Sequence, residues 1–106
     1  AIDNANINKE LNGVKNAKFL CLDAKDIDCY NFDVIVVDPP RSGLSSSLIE
    51  KMEVINPKKI IYVSCNPNTL KRDISLFKNY RVVEIKVLNM FFRTHHMETV
   101  CILEKI

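Results

Sequence analysis

The chain is expected to fold as an α/β layered domain with a mostly parallel sheet. Three observations carry that expectation. Short apolar runs alternate with segments whose apolar residues recur at helical spacing. The run Phe32–Val37 is apolar enough to be a strand buried on both faces. The last quarter, Arg81–Met90 and Thr99–Lys105, reads as a closing pair of strands. With 106 residues, 47% hydrophobic and 26% charged, this is one small soluble domain or a piece of one.

The elements follow in order. Residues 1–12 read as the end of a helix, closed by Asn12-Gly13. Ala17–Leu22 is a first strand and Phe32–Val37 a second. A helix spans Ser46–Ile55, with Leu48, Ile49, Met52 and Ile55 facing inward and Asn56-Pro57 ending it. The strand Lys59–Ser64 contains the apolar run Ile60-Ile61-Tyr62-Val63. Asn66 is a good N-cap, and Pro67 suits the first helical position, where its missing N–H costs nothing. Leu70, Ile74 and Phe77 then mark a helix to about Lys78. The closing strands flank a Phe91–Glu98 loop. In sheets built this way, ligands bind beyond the carboxyl ends of the strands. Asp23, Asp38 and Cys65 all stand at such ends.

Composition excludes several functions. A net charge of +2 is too small to argue for nucleic acid by itself. No apolar run approaches a membrane span, and no signal peptide opens the chain. Cys21, Cys29, Cys65 and Cys101 lack the close C-x-x-C spacing of metal sites, so no metal is expected. Cys21 and Cys101 lie in apolar alternations and read as core residues, while Cys29 lies in a polar turn. Free thiols point to a reducing, cytoplasmic compartment.

Cys65 is the most informative residue. It ends an apolar strand directly before a helix start, so its thiol faces the positive end of a helix dipole, an environment that favours a thiolate. Nucleophilic cysteines need such surroundings, although a buried structural cysteine would fit this run alone as well. Asp38-Pro39-Pro40-Arg41 follows the most hydrophobic strand. Its prolines stiffen the strand exit and remove backbone donors, leaving Asp38 to orient a cofactor or substrate and Arg41 to bind phosphate. Adjacent His95 and His96 point to opposite faces of an extended chain and so do not share one ion. Glu98 precedes the last strand and serves as a general base if the fold brings it near Cys65. Asp23 after the first strand is a weaker signal for an adenine or ribose contact. The pairs Lys58-Lys59 and Lys71-Arg72 read as solvated faces.

Taken in order, these motifs spell a family pattern. Asp38-Pro39-Pro40-Arg41-Ser42-Gly43, then Ser64-Cys65-Asn66-Pro67 with Thr69-Leu70 and Arg72-Asp73, then Met90-Phe91, Thr94, His96 and Glu98 resemble the RNA (uracil-5-)-methyltransferases, which modify tRNA and rRNA. The resemblance covers the whole chain. It implies the C-terminal portion of a Rossmann-like S-adenosylmethionine-dependent methyltransferase fold. By analogy Cys65 attacks C6 of a uracil, C5 takes the methyl group, and Glu98 removes the C5 proton. Asp38 and Asp23 fall to the cofactor, and Arg41, Asn66 and His96 to the RNA. The target base must leave its stack to reach Cys65.

The chain departs from the pattern at Asn89, where Asp is usual, at Phe92 in place of Pro and at Arg93 in place of Gln. It also holds only Gly13 and Gly43, neither in a Gly-rich cofactor loop. The resemblance therefore implies a C-terminal fragment of the catalytic domain, without its first strands and N-terminal RNA-binding portion, and inactive alone. Unpaired strand edges in such a fragment invite direct pairing of Ala17–Leu22 with Phe32–Val37, or a dimer. The alternatives are a noncatalytic RNA-binding or scaffold domain and an amino-group methyltransferase, whose chemistry needs no Cys65.

Overall fold

A computed structural model of the chain describes residues 2–13, 15, 16, 31–89 and 97–106. Its elements run α1 (Ile2–Leu11), β1 (Val34–Val37), α2 (Ser46–Ile55), β2 (Lys59–Ser64), α3 (Pro67–Leu76), β3 (Tyr80–Asn89) and β4 (Met97–Lys105). The expected first strand, Ala17–Leu22, lies outside the described residues, as do Cys21 and Cys29. Four elements, α1, α2, β2 and β3, match the expected bounds within one residue, while α3 ends at Leu76, two residues before the expected Lys78. β1 starts two residues late, and β4 reaches two residues further back, to Met97.

Local chemistry explains the helix limits. Ser45 has extended backbone and accepts from the Leu48 N–H at 3.2 Å, capping α2. Asn56 closes α2 in the left-handed region at φ 60°, its N–H donating to Met52 O at 3.0 Å. Asn66 caps α3 by accepting from the Asn68 N–H at 3.0 Å, with Pro67 in the first turn. Glu53 on α2 then accepts from the backbone N–H groups of Lys78 and Asn79, fastening the α3–β3 connection.

The sheet has the order β1-β2-β4-β3. β1 and β2 are parallel, and the closing strands are antiparallel, as expected. β4 also inserts antiparallel between β2 and β3, pairing Tyr62 with Cys101 and Ser64 with Thr99. A register shift between Val82 and Glu84 marks a bulge in β3.

One face of this sheet forms the core. Ile60, Tyr62, Cys101 and Leu103 pack there with Ile49 and Met52 of α2 and with Leu70 and Phe77 beside α3. Each large side chain buried in this way contributes about 1.5–3 kcal/mol. Tyr80 adds an edge-on contact with Phe77 and donates its hydroxyl to Pro57 O at 2.5 Å.

The opposite face corrects one expectation. Burial of β1 on both faces does not hold, because Val34 and Val36 are exposed. Ile35 and Val37 alternate with them and turn to the core. β1 stands at the edge of the described sheet, and the described α2 and α3 cover only the core face. No helix among the described residues is long and apolar enough to cross a membrane.

Candidate active site

Strand register gathers the chemistry at one rim. Ser64 pairs with Thr99, so the next positions outward on these antiparallel neighbours are Cys65 and Glu98. On the other side of β2, Val37 pairs with Tyr62 in parallel, so Asp38 leaves β1 at the same end. Cys65, Glu98 and Asp38 therefore share the carboxyl-end rim of the β1–β2 pair. Asp23 and His96 lie outside the described residues.

Cys65 sits in a tight bend. The buried Ser64 hydroxyl donates to Asn66 O at 2.8 Å and accepts from the Asn66 N–H at 3.0 Å, folding the backbone around the intervening cysteine. Cys65 is free and exposed. Cys101, also free, is wholly buried, and burial pushes its thiol pKa up, which suppresses reaction there. Glu98 is half-buried. Asp38 is exposed and meets no donor among the described residues.

The Asp38–Leu44 segment is mounted on α3 through side chains. Its turn is closed by the Gly43 N–H donating to Pro40 O at 2.9 Å. Asn66 Nδ2 donates to Arg41 O at 3.2 Å. The Thr69 hydroxyl lies 3.2 Å from Arg41 O and 3.1 Å from Asn66 O, sharing one proton between them. Both ends of the Asn66 amide are thus engaged within the protein, while the Arg41 side chain is exposed at the rim.

Beneath this turn lies a buried cluster to which the sequence reading attached no role. Asp73 is fully buried. Its Oδ2 accepts from the Leu44 N–H at 2.8 Å and the Tyr62 hydroxyl at 2.6 Å. Its Oδ1 accepts from Arg72 Nε at 3.1 Å and Nη2 at 2.9 Å. Burial, then the bond and charge of Asp73, push the Tyr62 pKa well above its ordinary value, so Tyr62 stays a neutral donor. Arg72, expected on a solvated face, also donates to Ser42 O at 2.8 Å. A signal was present, since Asp73 falls three residues after Leu70 on the inward stripe of α3, where a carboxylate demands partners.

Comparisons with known proteins identify the family. The chain is 42% identical over 100 residues to a tRNA (uracil(54)-C(5))-methyltransferase of Pyrococcus furiosus, covering 94% of this chain and 24% of that protein. It is 42% identical over 123 residues to a tRNA/tmRNA (uracil-C(5))-methyltransferase of Campylobacter concisus, covering 98% of this chain and 33% of that one. The solved structure of Pyrococcus abyssi tRNA (uracil-54, C5)-methyltransferase, in complex with S-adenosyl-L-homocysteine, superposes with a TM-score of 0.87 at 40% identity. That match covers 96% of this chain and 26% of the other. The chain thus spans between a quarter and a third of the length of these relatives. The family model for tRNA (Uracil-5-)-methyltransferase matches residues 2–106, and a match over nearly every residue makes this chain a member of that family.

Proposed function

We propose that the chain supplies the nucleophile and the base of a methyl transfer to C5 of a uridine in RNA. The Ser64–Thr99 pairing, which makes Cys65 and Glu98 the next positions outward on neighbouring strands, supports this reading. C5 of uracil is a poor nucleophile until something adds at C6. The Cys65 thiolate forms an S–C6 bond, and the C5–C6 π electrons move toward the C4 carbonyl as an enolate. S-adenosylmethionine, when bound, would supply the electrophilic methyl that C5 takes, its S–CH3 bond breaking to leave S-adenosylhomocysteine. Glu98 then accepts the C5 proton, the C5–C6 double bond re-forms, and the thiolate leaves.

The exposed Asp38 carboxylate, which meets no donor among the described residues, fits one edge of a cofactor site, with Asp23 as a second contact. Arg41 and His96 face the RNA, and Asn66 contributes through the turn that it holds. The substrate is tRNA, with rRNA as the alternative, and the setting is cytoplasmic. The full-length protein performs the reaction, while the chain alone is inactive.

The test uses the full-length enzyme and tRNA containing 5-fluorouridine, whose C5 fluorine cannot leave as a proton. Wild type accumulates a covalent complex. Cys65→Ala forms none and does not methylate ordinary tRNA. Glu98→Gln with ordinary tRNA accumulates a methylated covalent complex, because elimination waits on the base. Undiminished methylation by Cys65→Ala refutes the reading and leaves a scaffold or amino-group enzyme.

A further inference from the structure

We infer that Asp73, Tyr62 and Arg72 form a positioning cluster that sets where Asp38 and Arg41 stand relative to Cys65. The inference rests on the proposed uracil chemistry. The segment Asp38–Ser45 contains no helix or strand. Pro39 and Pro40 have no N–H, so this backbone has few donors of its own. Four of its polar groups end on side chains of α3 or its cap. Arg41 O meets Asn66 and Thr69, Ser42 O and Leu44 O meet Arg72, and the Leu44 N–H meets Asp73. Those anchors run from the cap Asn66 to Asp73 along the helix that follows Cys65 directly, so turn and nucleophile are fastened to the same helix.

Asp73 is where the pieces meet. It joins β2 through Tyr62, three residues before Cys65, the turn through Leu44, and Arg72 on its own helix. It is also the one fully buried charged side chain among the described residues. The approach is close enough to require a glycine. A Cβ at Gly43 would lie 2.6 Å from Asp73 Oδ2 and 2.7 Å from Arg72 Nη2. A carboxylate holding four donors with two oxygens admits few positions for the turn above it, which is the geometric demand of preorganisation. None of the three residues touches the reacting atoms. Each acts through the turn.

The experiment measures the single-turnover rate of covalent capture of 5-fluorouridine tRNA by the full-length enzyme, alongside kcat and KM for ordinary tRNA. Tyr62→Phe removes one hydroxyl and keeps the ring, and Arg72→Ala removes an exposed guanidinium, so both remain testable if Asp73→Asn fails to fold. We expect Arg72→Ala to slow capture and kcat at least tenfold with KM within threefold, and Tyr62→Phe to move the same quantities less. Arg72→Lys, which keeps the charge beside Asp73, recovers part of the rate. Both variants should remain folded at the assay temperature by circular dichroism. Unchanged capture in both variants, while Cys65→Ala abolishes it, overturns the positioning role and leaves the uracil chemistry standing. Loss that follows the unfolded fraction, or that lies in KM alone, also overturns it. Full methylation by Cys65→Ala removes both.

Discussion

Replacing Gly43 by Ala isolates the close approach on which the Asp38–Leu44 turn depends. Gly43 has φ +82°, where an L residue costs about 1 kcal/mol. The added methyl would also stand 2.6 Å from Asp73 Oδ2, so the carboxylate or the turn must move. The displaced oxygen is the one that accepts from both Leu44 and Tyr62. Losing one such bond to a buried charge costs about 1.5–3 kcal/mol, so the total is about 2.5–4 kcal/mol. Gly13→Ala is the control, because Gly13 has φ +64° and nothing within 4 Å of its Cβ position. It bears only the backbone term of about 1 kcal/mol. Urea unfolding followed by far-ultraviolet circular dichroism measures both variants, the chain having no tryptophan. Equal losses at Gly43 and Gly13, or a loss below about 1 kcal/mol at Gly43, would refute the steric argument.

Two further outcomes are expected. Burial holds protons on Tyr62, Tyr80 and Cys101 beyond their ordinary values of 10.0, 10.0 and 9.0. Above those values the folded state retains protons that the unfolded chain has released. Stability is therefore level below about pH 9 and falls as pH climbs through 9 and 10, by up to about 1.4 kcal/mol per pH unit for each group. An unchanged urea midpoint between pH 8 and pH 11 contradicts this. S-adenosylmethionine should bind the 106-residue chain more weakly than micromolar, since its two glycines cap α1 and fill the Asp73 contact rather than form a cofactor loop. Calorimetry returning about −8 kcal/mol would contradict that.

Local signals settled most of the secondary structure. Ser45, Asn56, Asn66 and Pro67 mark helix limits through chemistry confined to a few residues, and α2 and β2 take their expected bounds. The apolar alternation around Cys101 marked it as a core residue, whereas the run around Cys65 fitted a nucleophile and a buried structural cysteine alike, and its exposure came from the fold. The resemblance carried by ordered motifs named the family, which the match over residues 2–106 bears out.

Tertiary structure decided what depends on partners distant in sequence. Nothing near Met97–Lys105 specifies that this strand enters between β2 and β3, yet that insertion pairs Thr99 with Ser64 and so brings Glu98 to the rim that carries Cys65. The apolar run of β1 gave no hint that Val34 and Val36 would be exposed, because burial depends on which elements cover a face. Arg72 reads as a solvated cation until Ser42 arrives from another part of the fold to join its neighbour Asp73. Helix caps and apolar periods are short-range and therefore written in the chain. Strand order and the partners of a buried charge are long-range, because separate segments must first be packed together.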